Sequence, residues 1–99
     1  MTSPEKYVLR LYVTGLTPRS TRAIKIVREV CEEFLRNSYE LEIIDVYQQP
    51  GRISRDQIVA IPTLVKCHPA PQRLVVGDMT DRNRLLSGLG LPVTLGVGS

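Results

Sequence analysis

Apolar and polar positions change their spacing along this chain, and each change marks an element. Tyr7 to Val13, YVLRLYV, is dense in aliphatic, β-branched and aromatic residues and stops before Gly15. That pattern predicts a short strand covered on both faces, hence central in its sheet. Further on, Ala23, Ile24, Val27, Val30, Cys31, Phe34 and Leu35 recur at intervals of three and four, with charged residues between them. This is the stripe of an amphipathic helix. Thr17 followed by Pro18 marks its start, because the threonine oxygen accepts an orphan N–H and proline has none to lose.

Tyr39 to Tyr47, YELEIIDVY, reads as a second strand, and a right-handed crossover through the helix makes it parallel to the first. The QQPG turn, Gln48 to Gly51, closes this unit. Later elements are short: a helix in ISRDQIV, a strand in PTLVKC, a turn in HPAPQ, a strand in RLVVG and a helix in TDRNRLLSG. Asp78 or Thr80 is the expected cap of the last helix, and Gly88 or Gly90 its expected end. The order is βαβαββα, an α/β fold in one domain spanning 1–99. Its Gly-rich end, 92–99, is expected to be loosely held.

Composition narrows the functions. Thirteen Lys and Arg against ten Asp and Glu leave a net charge of +3, with no block of one sign. Nucleic acid is not demanded by so mild a balance. No apolar run reaches the roughly 18 residues needed to span a bilayer, and MTSPEKYVL lacks a hydrophobic signal core. A cytoplasmic protein with no membrane span is expected. Cys31 and Cys67 are far apart and outside any metal-binding spacing, so neither a disulfide nor a metal site is expected. Cys31 belongs to the buried stripe of the helix. Cys67 and His68, adjacent on a strand, point to opposite faces and make a poor nucleophile and base. Asp45, Asp56, Asp78 and Asp81 form no evident acid/base dyad, and no phosphate-binding glycine loop is present. No cofactor is expected. Tyr7, Tyr12, Tyr39 and Tyr47 read as strand-packing rings with solvated hydroxyls.

The element order and two local matches resemble the thioredoxin superfamily. Thr17-Pro18-Arg19-Ser20 stands where thioredoxins carry Cys-x-x-Cys, and IPTL, Ile61 to Leu64, is similar to their cis-proline segment. Dithiol exchange needs a low-pKa thiolate and a resolving thiol, which Thr17 and Ser20 do not supply. The chain is therefore expected not to be an enzyme. Within the superfamily, LRLYVTGLTPRSTRAI, YELEIIDV, IVAIPTLVK and PQRLVVGDMTDRNRLLSGL resemble the KaiB family from about Tyr7 to Leu89. Departures are Gly90, where clock members usually carry Asp, Leu74 after Arg73 in place of a second basic residue, and the lack of an acidic tail.

The resemblance implies a non-enzymatic regulatory protein that binds the N-terminal ring of a KaiC-like hexameric ATPase in a circadian or related timing system. Other clock proteins, such as KaiA or histidine kinases, are implied as further partners. A stress-related thioredoxin-fold adaptor or chaperone-like protein outside a clock is the alternative. Arg22 and Lys25 match the family's partner-binding helix, and Arg19, Arg28 and Arg73 complete the candidate surface. The family also occupies a second, ground-state fold of the C-terminal half, as a tetramer or dimer. Pro62, Pro69, Pro71, Gly88 and Gly90 lie in the segment that would change. Short elements there leave the choice of state to packing.

Overall fold

The computed structural model describes residues 6–15, 17–77 and 79–93. Its elements are β1 (Tyr7–Val13), α1 (Pro18–Phe34), β2 (Tyr39–Asp45), α2 (Arg52–Arg55), β3 (Thr63–His68), β4 (Arg73–Val76) and α3 (Arg82–Gly88), in the expected βαβαββα order. The sheet order is β2-β1-β3-β4, so β1 is internal as its apolar run predicts. β2 runs parallel to β1 from Tyr7↔Tyr39 to Val13↔Asp45, whereas β3 is antiparallel to β1 and β4 to β3.

Strand alternation divides the core into two layers. Leu9, Leu11 and Val13 of β1, with Leu64 and Val75, pack under Ala23, Val27, Val30 and Cys31 of α1 and Leu85, Leu86 and Leu89 at α3. On the other face Tyr12, Ile44 and Val65 meet Val46 and Ile58, with Ile53 of α2 against them. Each β1 neighbour therefore serves the opposite layer.

Three boundaries differ from expectation. β2 stops at Asp45, two residues early, because the Asp45 carboxylate turns back to accept the Tyr47 N–H at 2.9 Å. α2 has four residues in place of seven: Gly51 offers it no side-chain cap, and Gln57 takes a left-handed φ of 56°. The cap of α3 is Asp81, whose Oδ1 accepts the Arg84 N–H at 3.1 Å, rather than Thr80. Asp78, the other expected cap, lies outside the described residues, as does the expected loose end beyond Val93.

A polar cluster anchors the short α2. Arg10 donates from one guanidinium nitrogen to both oxygens of Asp56 at 3.0 Å, and the Tyr12 hydroxyl reaches Asp56 Oδ2. Arg52 grips Glu42 with two 3.0 Å bonds. Tyr12 is fully buried, so its hydroxyl is not solvated as the sequence led us to expect.

The residues of the second half that resembled a refolding segment have definite places. The peptide bonds before Pro62, Pro69 and Pro71 are all cis. Gly88 faces β4 so closely that a Cβ there would stand 2.2 Å from Val75 Cγ2. Gly90, at φ +74°, follows the Leu89 cap, with its N–H donating to the Ser87 carbonyl and that of Leu91 to the Leu86 carbonyl. This left-handed ending favours glycine.

Candidate functional site

The start of α1 is built where a dithiol would stand in a reductase. The Ser20 N–H donates to Thr17 Oγ1 at 3.2 Å, and the Thr17 hydroxyl donates to Ser20 Oγ at 2.9 Å. Ser20, itself buried, also accepts the Thr14 N–H at 3.0 Å. These two hydroxyls are thus occupied in capping the helix and tying it to the end of β1. The free thiols stand elsewhere. Burial pushes Cys31 up to about 12, and burial likewise raises Cys67. Neither is thiolate at neutral pH.

The four basic residues expected on α1 are all exposed. A step of three residues turns the helix by about 300°, so Arg19, Arg22, Lys25 and Arg28 fan around its outer side in steps of about 60°. Lys25 is opposite the buried Ser20, Ala23, Val27, Val30 and Cys31, and Arg19 and Arg28 sit on opposite flanks. They form a broad surface, not a single row. Among the described residues, Arg19, Lys25 and Arg28 make no ion pair.

Arg73 is not part of that surface. It is exposed on β4 and pairs in register with Lys66, which pairs with Leu9 near the beginning of β1. α1 begins after Val13, at the opposite end of the strands.

The order of charge along α1 opposes the helix dipole. Arg19 lies in the first turn, Glu32 and Glu33 in the last; the first turn has no acidic residue and the last no basic one. Helix N-termini favour anions and C-termini cations, so this sequence places both signs at the less stable end. Glu33 recovers part of the cost by pairing with Arg82 of α3, whose guanidinium also lies 5.9 Å from the Phe34 ring centroid. At the basic end, Arg19 makes no such ion pair among the described residues.

One residue of this region was missed by sequence reasoning. Tyr47 lies past the end of β2 and is 76% exposed, not packed on the sheet. Its position directly before QQPG was the available signal.

Nothing in this arrangement holds a metal: among the described residues no cluster of His, Cys, Asp and Glu is placed for it. No described helix is long and apolar enough to cross a membrane.

The chain matches the KaiB domain family over residues 10–91. It is 48% identical over 90 residues to the circadian clock oscillator protein KaiB of Prochlorococcus marinus (strain MIT 9303), covering 90% of this chain and 76% of that protein. Identity is again 48% over 90 residues with the like-named protein of Parasynechococcus marenigrum (strain WH8102), covering 90% and 86%. Among solved structures, the N-terminal domain of Synechococcus elongatus SasA superimposes with a TM-score of 0.72 at 26% identity, covering 91% of this chain and 89% of that one. The thioredoxin Deadhead of Drosophila melanogaster has a TM-score of 0.70 at 14% identity, covering 87% and 80%, a likeness of fold alone. The fold is thioredoxin-like.

Proposed function

The chain belongs to the KaiB family, and from that premise we propose that it is a non-enzymatic regulatory protein of a circadian or related timing system. It works by docking on the N-terminal ring of a KaiC-like hexameric ATPase. Its docking surface is the basic first half of α1 with the neighbouring free edge of β2.

The observation that carries this reading is the inverted charge order of α1. Cations at the positive end of a helix dipole cost stability, about 0.3–1 kcal/mol each when exposed. Arg19, in the first turn, has no carboxylate partner among the described residues to offset that cost. A partner that brings carboxylates to this end relieves it on binding, which makes the surface complementary to an acidic protein face. The resemblance between this fold and the SasA domain supports a clock setting.

The refolding of the second half belongs to the same proposal. α2, β4 and α3 span four, four and seven residues, short enough that tertiary contacts rather than local preference hold them. On this reading the thioredoxin-like arrangement of the second half is the one that docks, and a ground-state oligomer stores the chain in another.

The test is to mix the purified chain with the KaiC-like ATPase of its own genome, with ATP or ADP, and follow complex size over hours. A slowly formed, nucleotide-dependent complex is expected. No complex at high micromolar concentration refutes the reading.

A further inference from the structure

Resting on that docking surface, we propose that Tyr47 is its aromatic anchor, seated in an apolar pocket of the partner protein whose rim carries carboxylates for Arg19 and the cations beyond it.

The backbone that carries the ring is held by a local device. Asp45 Oδ1 accepts the Tyr47 N–H at 2.9 Å and the Gly15 N–H at 3.2 Å, so one carboxylate ties the end of β2 to the turn that enters α1. Gly15, at φ +58°, leaves bare backbone under the ring: a Cβ there would stand 3.8 Å from Tyr47 Cδ2. Two residues later Thr17 caps α1, and Arg19 follows in its first turn. The ring therefore flanks the basic end of the helix, 76% exposed, on backbone held by the Asp45 carboxylate. Its hydroxyl makes no hydrogen bond among the described residues.

An aromatic side chain has only two χ angles to order on binding, and on backbone already held that is a small entropy loss. Large aromatics beside arginine are the usual strong contributors at the centre of protein interfaces. The charge pattern selects the class of partner. Glu29, Glu32 and Glu33 follow the basic residues along the same helix, all exposed. Their carboxylates would repel a phosphate backbone tracking the helix, whereas a folded protein face with localised acidic groups avoids them.

The experiment measures affinity for the KaiC-like ATPase of the same genome, in ADP, for wild type, Tyr47→Ala, Tyr47→Phe and Lys25→Glu, with thermal unfolding of each variant alongside. Tyr47→Ala should weaken binding by about tenfold or more with unchanged unfolding, Tyr47→Phe should bind within about twofold of wild type, and Lys25→Glu should weaken binding. If Tyr47→Ala binds like wild type while Lys25→Glu is impaired, the anchor is refuted and the docking surface stands. If neither variant differs from wild type, both are refuted. Equal losses in Tyr47→Phe and Tyr47→Ala would overturn the apolar pocket, and Tyr47-dependent capture of a fluorescent deoxythymidine oligomer without ATPase binding would overturn the protein partner.

Discussion

The Tyr12 hydroxyl donates a 2.6 Å hydrogen bond to Oδ2 of Asp56, joining the C-terminal end of β1 to the residue that ends α2. Asp56 is almost fully buried, and burial alone would push its carboxyl up. Bonds from Tyr12 and Arg10 outweigh that and hold it below the usual carboxylate range. The Tyr12 hydroxyl is correspondingly pushed up to about 12, by burial first and then by its bond to Asp56. A four-residue helix with no side-chain N-cap is thus held by a buried carboxylate rather than by its own propensity.

This cluster should make the fold acid-sensitive at one residue. Asp56 has a folded pKa below its unfolded value of about 3.9, so its stabilisation is present above that pH and is lost as pH falls through the folded pKa. Asp56→Asn is expected to cost about 1–3 kcal/mol at pH 7, because Arg10 loses its nearer carboxylate partner and keeps only the longer contact with Glu42. The difference between variant and wild type should shrink below about pH 4. Urea unfolding at pH 7 and pH 3 checks both, and an equal gap at the two values would contradict the assignment.

Capping by Thr17 predicts a stability effect without a redox one. Thr17→Ala should lose about 1 kcal/mol as its oxygen ceases to accept the Ser20 N–H. Wild type should reduce insulin no faster than buffer with dithiothreitol, since the first turn of α1 carries no thiol. Turnover above that background would reopen the question of an enzyme.

The charge order of α1 predicts that stability and binding move in opposite directions. Arg19→Glu places an anion in the first turn, where the dipole favours it by about 0.3–1 kcal/mol. Its melting temperature should rise slightly at low salt while affinity for the ATPase falls. A variant that gains stability and still binds at wild-type strength would remove the reason offered for the inverted charges.

Gly88 and Val75 should be energetically coupled. Alanine at 88 gains helix propensity of up to about 1 kcal/mol, but its Cβ would overlap Val75 Cγ2 at 2.2 Å. Gly88→Ala should therefore be more favourable in a Val75→Ala background than in wild type, by about 1 kcal/mol in a double-mutant cycle. Additive effects would mean that α3 and β4 do not meet this closely.

The first half of the fold was legible because neighbours in sequence encode it. The period of α1, its Thr17 cap and the strand runs of β1 and β2 require only contacts within a few residues or one crossover, and each stands where its pattern predicts, apart from the last two residues of the β2 run. In the second half the elements were found in order but not their limits. Local preference spreads over TDRNRLLSG, where Asp81 rather than Thr80 caps α3 by accepting the Arg84 N–H, and Leu85 and Leu86 pack into the core. The basic residues of α1 were readable as exposed, yet whether they share a surface with Arg73 depends on strand direction, which places Arg73 at the far end of the sheet.

What the chain's order of residues determined by itself is the βαβ core and a helix entrance without thiols. What tertiary structure decided is the set of pairs with no local signal: Tyr12 with Asp56, Asp45 with Gly15, and Gly88 with Val75. Periodicity and capping act over a turn or a strand, whereas these pairs, separated by many residues, exist only once the sheet has brought their elements together.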